Sequence, residues 1–260
     1  MSPHSVQYIN GKKTFIPLEN NPEVFSTLSR SLGISPQLAF HDILSTTAPE
    51  LLAWIPRPTN AIILLCDEPI FTAARSAIKP TVPEYHGSGP DEPVLWMKQT
   101  IGHACGLMAF LHCVFNLDNA SAVTPNSEFE TLMKELVPLE PTARAEKLYN
   151  SSFLEQAHMH AATLGSSHVP TPNDPCGYHF IALVKAPDGR VWELNGGMNG
   201  PFLRGSLDDE DDLLSEKGLK VGVQDFLDAA GQLEGRQGLG SATCGAGVGY
   251  WIGVSIQTWH

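Results

Sequence analysis

Gln99-Thr100-Ile101-Gly102-His103-Ala104-Cys105-Gly106 runs directly into Leu107, Phe110, Leu111, Val114 and Phe115, the broad apolar face of a helix. The reading turns on Cys105. A cysteine in the first turn of an apolar helix has its thiolate favoured by the helix dipole and by backbone N–H groups that no helical carbonyl engages. The same N–H groups can stabilise an oxyanion on an attacked carbonyl, and the upstream Gln99 amide can add a second donor. A helix-start cysteine is also a common structural thiol, so the nucleophile reading needs a base.

His179 supplies it. His179-Phe180-Ile181-Ala182-Leu183-Val184 has the pattern of a buried strand, and Val191-Trp192-Glu193-Leu194 returns after the turn Lys185-Ala186-Pro187-Asp188-Gly189-Arg190. Pro-Asp-Gly is type I turn chemistry, with glycine providing a positive φ. A turn centred on Pro187 and Asp188 places Asn195 directly across from His179, with Cβ atoms ~5 Å apart, and a bulge shifts this by one residue. Cys105, His179 and Asn195 are then nucleophile, base and orienter. His112, inside the apolar helix, is a core residue. His158, His160 and His168 with Cys176 match no zinc spacing, so neither metal nor cofactor is expected. Cys176 is an exposed loop thiol, with redox partnership to Cys105 as the alternative.

Outward from these motifs, Asn21 caps a helix begun by Pro22, with Val24, Phe25, Leu28 and Leu32 on one face and Gly33 at its end. Ser35-Pro36 predicts a second short helix, Ala48 to Leu52 a third, and Ala61 to Cys66 a buried strand. Residues 81–93, with their prolines and glycines, form a loop. Residues 126–158 are helical, with a break at Glu140-Pro141-Thr142 and resumption from Ala143 to Phe153. Ala157 to Gly177 lacks periodicity and is a functional or mobile loop. Asp208 to Asp212 is a solvated acidic run, 231–249 a glycine-rich flexible insertion without phosphate-loop chemistry, and Tyr250 to Ile256 a final strand.

Composition bounds the rest. The 260 residues are 42% hydrophobic and 17% charged, with 28 acidic against 16 basic side chains and a formal charge of −12. A chain of this length holds one or two domains, and the absence of a repeat or clean linker favours one, spanning 1–260. The acidic balance disfavours nucleic acid and anionic membranes and favours a basic partner. Five scattered cysteines without CxxC spacing, and Met1-Ser2-Pro3-His4 without a basic-then-apolar pattern, lead us to expect reduced thiols and a cytoplasmic location.

The Gln99–Gly106 box closely resembles the nucleophile motif of the ubiquitin carboxyl-terminal hydrolases, compact papain-like deubiquitinases. Pro17 to Val24, Pro49 to Ala53 and Ile55-Pro56-Arg57-Pro58 resemble that family's N-terminal half. His179 to Val184 and Glu193-Leu194-Asn195-Gly196-Gly197 resemble its histidine strand and third-triad segment. The resemblance implies an α+β papain-like fold, an antiparallel sheet flanked by helices, with a knotted chain. It also implies Cys105 as nucleophile, His179 as base and then acid, and Gln99 with the Cys105 N–H as oxyanion hole. The loop from Ala157 to Gly177 corresponds to a crossover loop that admits only small or flexible adducts of ubiquitin or a ubiquitin-like modifier, and a monomer is expected. Three positions depart from the family: Asn195 stands for Asp, His103 for Asn, and Leu107 for a small hydroxyl residue. In a Ser-His-Asp enzyme, Asp→Asn costs roughly 10⁴ in kcat through the wrong tautomer, whereas papain-like Cys-His-Asn sites work. An active but slower hydrolase is expected. A catalytically weakened ubiquitin-binding module and an unrelated Cys-His acyltransferase are the alternatives.

Overall fold

The computed structural model describes residues 5–117, 123–165, 169–174, 176–237 and 253–258. A hairpin of β1 (Gln7–Ile9) and β2 (Lys12–Thr14) precedes α1 (Pro22–Ser31). Helix α1 forms for local reasons. The Asn21 side-chain oxygen accepts the Glu23 N–H at 2.8 Å, Pro22 sits in the first turn, and Gly33 takes φ +72° beyond the end. Ser35-Pro36 does not start a helix. The Ser35 carbonyl accepts the Leu38 N–H at 3.1 Å in a turn, and β3 (Leu38–Ile43) follows, with Leu38, Phe40 and Ile43 buried. Its period-two pattern outweighs the Ser-Pro start signal.

Next come α2 (Pro49–Leu52), β4 (Ala61–Asp67) and α3 (Glu68–Arg75). Helix α3 is not anticipated from the sequence, because Asp67-Glu68-Pro69 has the look of a break although proline is tolerated in a first helical turn. Four helices follow: α4 (Cys105–Asn116), α5 (Glu128–Leu136), α6 (Pro141–Tyr149) and α7 (Ser152–Ala162). The expected single run from Ala143 to Phe153 is divided, because Ser151 caps a new helix by accepting the Leu154 N–H at 3.2 Å. Helix α7 buries Leu154, Ala157, His158, Ala161 and Ala162, so the loop expected from Ala157 starts only after Ala162.

The chain then forms β5 (Tyr178–Lys185), β6 (Arg190–Leu194), β7 (Phe202–Ser206), α8 (Glu216–Gly222), α9 (Gln224–Gln237) and β8 (Gly253–Thr258). Residues 231–237, expected within a flexible insertion, belong to α9; 238–249 lie outside the described residues, as do Tyr250 to Ile252 of the expected final strand. The main sheet is six-stranded in the order β3-β8-β4-β5-β6-β7, with every neighbouring pair antiparallel. Alternation sorts its two faces. Ala61, Ile63, Phe180, Ala182 and Val184 join Phe25, Phe110 and Leu111 of α1 and α4 in one core. Leu64, Cys66 and Ile181 pack instead on Ile70 and Phe71 of α3 and Phe226 of α9. The α+β, papain-like expectation holds.

Buried charge ties the second face together. The Arg75 guanidinium donates to Glu193 at 2.5–3.0 Å and to Asp225 at 2.6 Å, and Arg204 reaches the same two carboxylates at 3.3 and 2.6 Å. The Phe226 ring lies 4.0 Å from the Arg75 guanidinium carbon. This cluster joins α3, β6, β7 and α9. Asp212 corrects the solvated acidic run: it is buried, bonds Arg57, and accepts the Thr59, Leu214 and Ser215 N–H groups at 2.7, 2.9 and 3.0 Å. Removing one partner of a buried ionic cluster leaves the others desolvated. Arg75→Leu is therefore expected to lower stability by about 3–5 kcal/mol, seen as a fall in the urea midpoint; an unchanged midpoint would contradict the cluster's role.

Candidate active site

The segment leading into α4 is held from three sides. The Met97 N–H donates to His112 Nε2 at 3.0 Å, which ties the segment to that buried histidine inside α4. The Gln99 N–H donates to the Gly196 carbonyl at 2.9 Å, and the Gly102 N–H to the Lys13 carbonyl at 2.8 Å. The Phe15 N–H returns a bond to the Gly102 carbonyl at 3.0 Å. Lys13 is itself buried, with Nζ 2.7 Å from the Tyr149 carbonyl and 2.6 Å from Glu155. Arg144 holds the Trp96 carbonyl at 3.1 Å, and Trp96 Nε1 donates to the Asn195 carbonyl at 3.2 Å. The oxyanion segment and the Asn195 segment are thus one hydrogen-bonded unit. Gly196 is required there, since a Cβ would stand 2.7 Å from the Gln99 nitrogen and 3.0 Å from the Met97 oxygen.

Cys105 opens α4 with an uncapped helix start, as the nucleophile reading requires. The Gln99 side-chain amide donates one hydrogen to the Ile101 carbonyl at 3.1 Å, which orients the amide and leaves its second N–H free to donate. His103 adopts φ +55°. Histidine and asparagine both visit this left-handed region more readily than most residues, which accounts for His103 at a position the resemblance assigns to Asn. Leu107 is buried in the core.

The hairpin register corrects the expected pairing. The turn is longer than a two-residue one. Gly189 has φ +80°, the Ala186 N–H donates to the Arg190 carbonyl, and Ala182 pairs with Leu194. A three-residue Pro187-Asp188-Gly189 loop with a left-handed glycine shifts the ladder, so Asn195 continues it opposite Ile181 and not His179. The chain then folds back: Gly197 N–H donates to the Asn195 side-chain oxygen at 2.8 Å and Met198 N–H to its carbonyl at 3.1 Å. This turn returns residues 195–197 toward His179, whose Cε1 would be 3.9 Å from a Cβ on Gly197. Asn195 Nδ2 and His179 Nε2 are both buried without a hydrogen-bond partner.

His179 pairs across the sheet with Cys66, and the Phe71 ring of α3 lies on its imidazole at a centroid distance of 4.5 Å. Phe71 is a site residue the sequence reading misses, because α3 itself is not anticipated. Cys105 approaches the same end of β5 from the α4 face, where the Phe180 backbone N–H favours its thiolate. No hydrogen bond joins the Cys105 thiol to the His179 ring among the described residues. Burial pushes the Cys105 thiol up to about 11; backbone N–H groups of Phe180, Gly106 and Cys105 oppose that, and the nearby Cys176 thiol adds to it. Burial also lowers the His179 pKa, against the Asn195 side chain, Glu68 and Glu193, while Lys79 lowers it further. Burial thus favours the neutral form of both partners in the free protein.

Of the remaining candidates, His158 serves the structure, and His168 lies outside the described residues. His158, whose pKa burial lowers to about 4, bonds the Ile16 carbonyl through Nε2 at 2.7 Å. No group of three metal-ligating side chains occurs among the described residues. Cys66, Cys105, Cys113 and Cys176 are free thiols. No described helix is long and apolar enough to cross a membrane.

The family model described as "Ubiquitin carboxyl-terminal hydrolase, family 1" matches residues 15–228. A ubiquitin carboxyl-terminal hydrolase of Aplysia californica is 32% identical over 195 residues, covering 75% of this chain and 87% of that protein. A probable ubiquitin carboxyl-terminal hydrolase of Dictyostelium discoideum is 35% identical over 193 residues, covering 73% and 74%. Among solved structures, the Trichinella spiralis UCH37 catalytic domain bound to ubiquitin vinyl methyl ester aligns with a TM-score of 0.59 at 17% identity, covering 94% of this chain and 95% of that one.

The raised thiol pKa carries a direct test. Below about 11 the Cys105 thiolate is a minority that grows tenfold per pH unit. Iodoacetamide labelling of Cys105 in the free protein is expected to be still rising at about pH 9, above the ~8.5 of an ordinary cysteine. A labelling rate already level at pH 7 would mean a preformed thiolate.

Proposed function

Because this chain belongs to the ubiquitin carboxyl-terminal hydrolase family, we propose that its thiol-dependent cleavage at the ubiquitin C-terminus runs through Cys105, His179, Gln99 and Asn195 within one catalytic domain. Bound substrate completes the thiol–imidazole contact that the free site leaves open, as catalytic hydrogen bonds commonly tighten only in the complex. The Cys105 proton passes to His179 as Sγ attacks the ubiquitin C-terminal carbonyl. The Gln99 amide and the Cys105 backbone N–H hold the oxyanion. His179 protonates the departing group, leaving a thioester on Cys105, and then draws a proton from the water that hydrolyses it. Side chains and water supply every step.

The observation that carries this reading is the Gln99 N–H bond to the Gly196 carbonyl at 2.9 Å. It unites the oxyanion segment with the turn that brings Asn195 to His179. The formal charge of −12 suits the Arg-rich tail of ubiquitin. Among the described residues after α7, Asn173 Nδ2 donates to Gln7 at 2.6 Å, and the Gly177 carbonyl, two residues before His179, accepts the Glu68 N–H at 2.9 Å, tethers that support a preference for small or flexible adducts. The free thiols among the described residues fit a reducing, cytoplasmic setting. The second reading, a ubiquitin-binding module with weakened turnover, is favoured by one observation: Asn195 carries no charge to stabilise imidazolium, and its side-chain oxygen also serves the Gly197 N–H.

Hydrolysis of a fluorogenic ubiquitin C-terminal amide separates the two. The unmutated chain is expected to turn over, Cys105→Ala to abolish turnover while retaining binding, and Gln99→Ala to slow kcat by ~10²–10³. Asn195→Asp is expected to accelerate it, since a carboxylate keeps an acceptor for Gly197 N–H and adds a full negative charge that favours imidazolium. Binding without turnover, restored by Asn195→Asp, would favour the module instead.

A further inference from the structure

We propose that Glu68, resting on the hydrolase reading above, is a positioning residue for the base: it supplies His179 with negative charge that residue 195 does not carry. Placement comes from the β4–β5 ladder, in which Cys66 pairs with His179 and Asp67 with Tyr178. The Glu68 N–H donates to the Gly177 carbonyl at 2.9 Å and continues the same register. Glu68, an exposed residue, is therefore diagonal to His179 in the ladder at a typical spacing of ~7–8 Å, and as the first residue of α3 it shares a helix face with Phe71 three residues on. Helix α3 begins at this residue, and one turn on its Phe71 ring packs on His179. The helix face that covers the base therefore starts with a carboxylate.

The charge matters because Asn195, a neutral amide, brings none to the imidazolium. Only an oxygen can accept the Gly197 N–H, so that 2.8 Å bond fixes the amide orientation and leaves Nδ2 as the remaining buried polar group. The second lone pair of that oxygen can accept from imidazolium, and the Asn195 side chain favours the charged ring, but a neutral amide adds no negative charge. Other groups facing the ring do not substitute. Glu193 is committed to Arg75 and Arg204, Lys79 opposes imidazolium, and burial holds the Cys66 and Cys105 thiols protonated, up to about 12 and about 11. Glu68 has no ion pair or side-chain hydrogen bond among the described residues, and its charge favours the charged ring. At the diagonal distance, in a largely aqueous dielectric, one charge changes imidazole protonation about three-fold, or ~0.5 pH unit.

The test is a titration of the His179 ring by NMR in the full chain with labelled histidine, beside the pH profile of kcat/KM on the fluorogenic ubiquitin amide. Glu68→Gln is expected to lower the His179 pKa by ~0.5 unit, reduce the plateau about three-fold and move the acid limb to lower pH by the same ~0.5 unit. Glu68→Asp is expected to keep all three near their unmutated values. In 1 M salt, where screening reaches ~3 Å, the difference should vanish. A His179 titration unmoved by Glu68→Gln at low salt overturns the proposal whether or not the chain turns over. Absence of turnover in both the unmutated chain and Asn195→Asp, with the titration shift present, overturns the hydrolase reading alone.

Discussion

One backbone hydrogen bond, from the Gln99 N–H to the Gly196 carbonyl, closes this structure around its chemistry. On one side of it the chain continues through Gly102, clamped to β2, into the first turn of α4 and Cys105. On the other it continues from β6 through the turn that presents Asn195. Neither segment is regular secondary structure, so neither position is set by a helical or sheet ladder alone. Gly196 permits the approach because any side chain would collide with the Gln99 backbone. The buried charges serve the same end. Arg144 holds the Trp96 carbonyl, and the Arg75–Glu193–Arg204–Asp225 cluster fixes α3 and β6 around the histidine. Clusters of this kind add little net stability over apolar packing but penalise alternative arrangements that would leave a charge unpaired.

The electrostatics of the site are those of a resting hydrolase. Burial keeps the thiol and imidazole neutral, and the groups that favour their charged forms are arranged but outweighed. A neutral pair is less reactive toward adventitious electrophiles and oxidants than a standing thiolate. Substrate binding then has to supply the closure that aligns the two, so that binding energy is expressed in the reacting state.

Much of this was legible in the sequence, and the misses share a cause. Asn21-Pro22 at α1, the Cys105 helix and the β5–β6 hairpin carry strong local signals, and the structure follows them. Ser35-Pro36 was misleading because β3 is specified by alternation spread over Leu38 to Ile43. Helix α3 was hidden by Pro69, and with it Phe71, whose ring packs on His179. The pairing of Asn195 with His179 failed by register: Gly189 takes a left-handed conformation, lengthening the turn, and the neighbourhood is restored only by the fold-back at Asn195. Asp212 could not be told from its exposed acidic neighbours, because its partners Arg57 and Thr59 are distant in sequence. Local patterns place elements; close approaches between loops depend on tertiary contacts that no window of sequence contains.

The central claim is that this framework makes Cys105, among several free thiols, the one that attacks the ubiquitin C-terminus. Intact-mass analysis and peptide mapping after incubation with ubiquitin carrying a C-terminal electrophile test it most directly. The account predicts one covalent ubiquitin per chain, on Cys105, lost in His179→Ala as well as in Cys105→Ala. An adduct on Cys176, or undiminished labelling of Cys105 without His179, would contradict it.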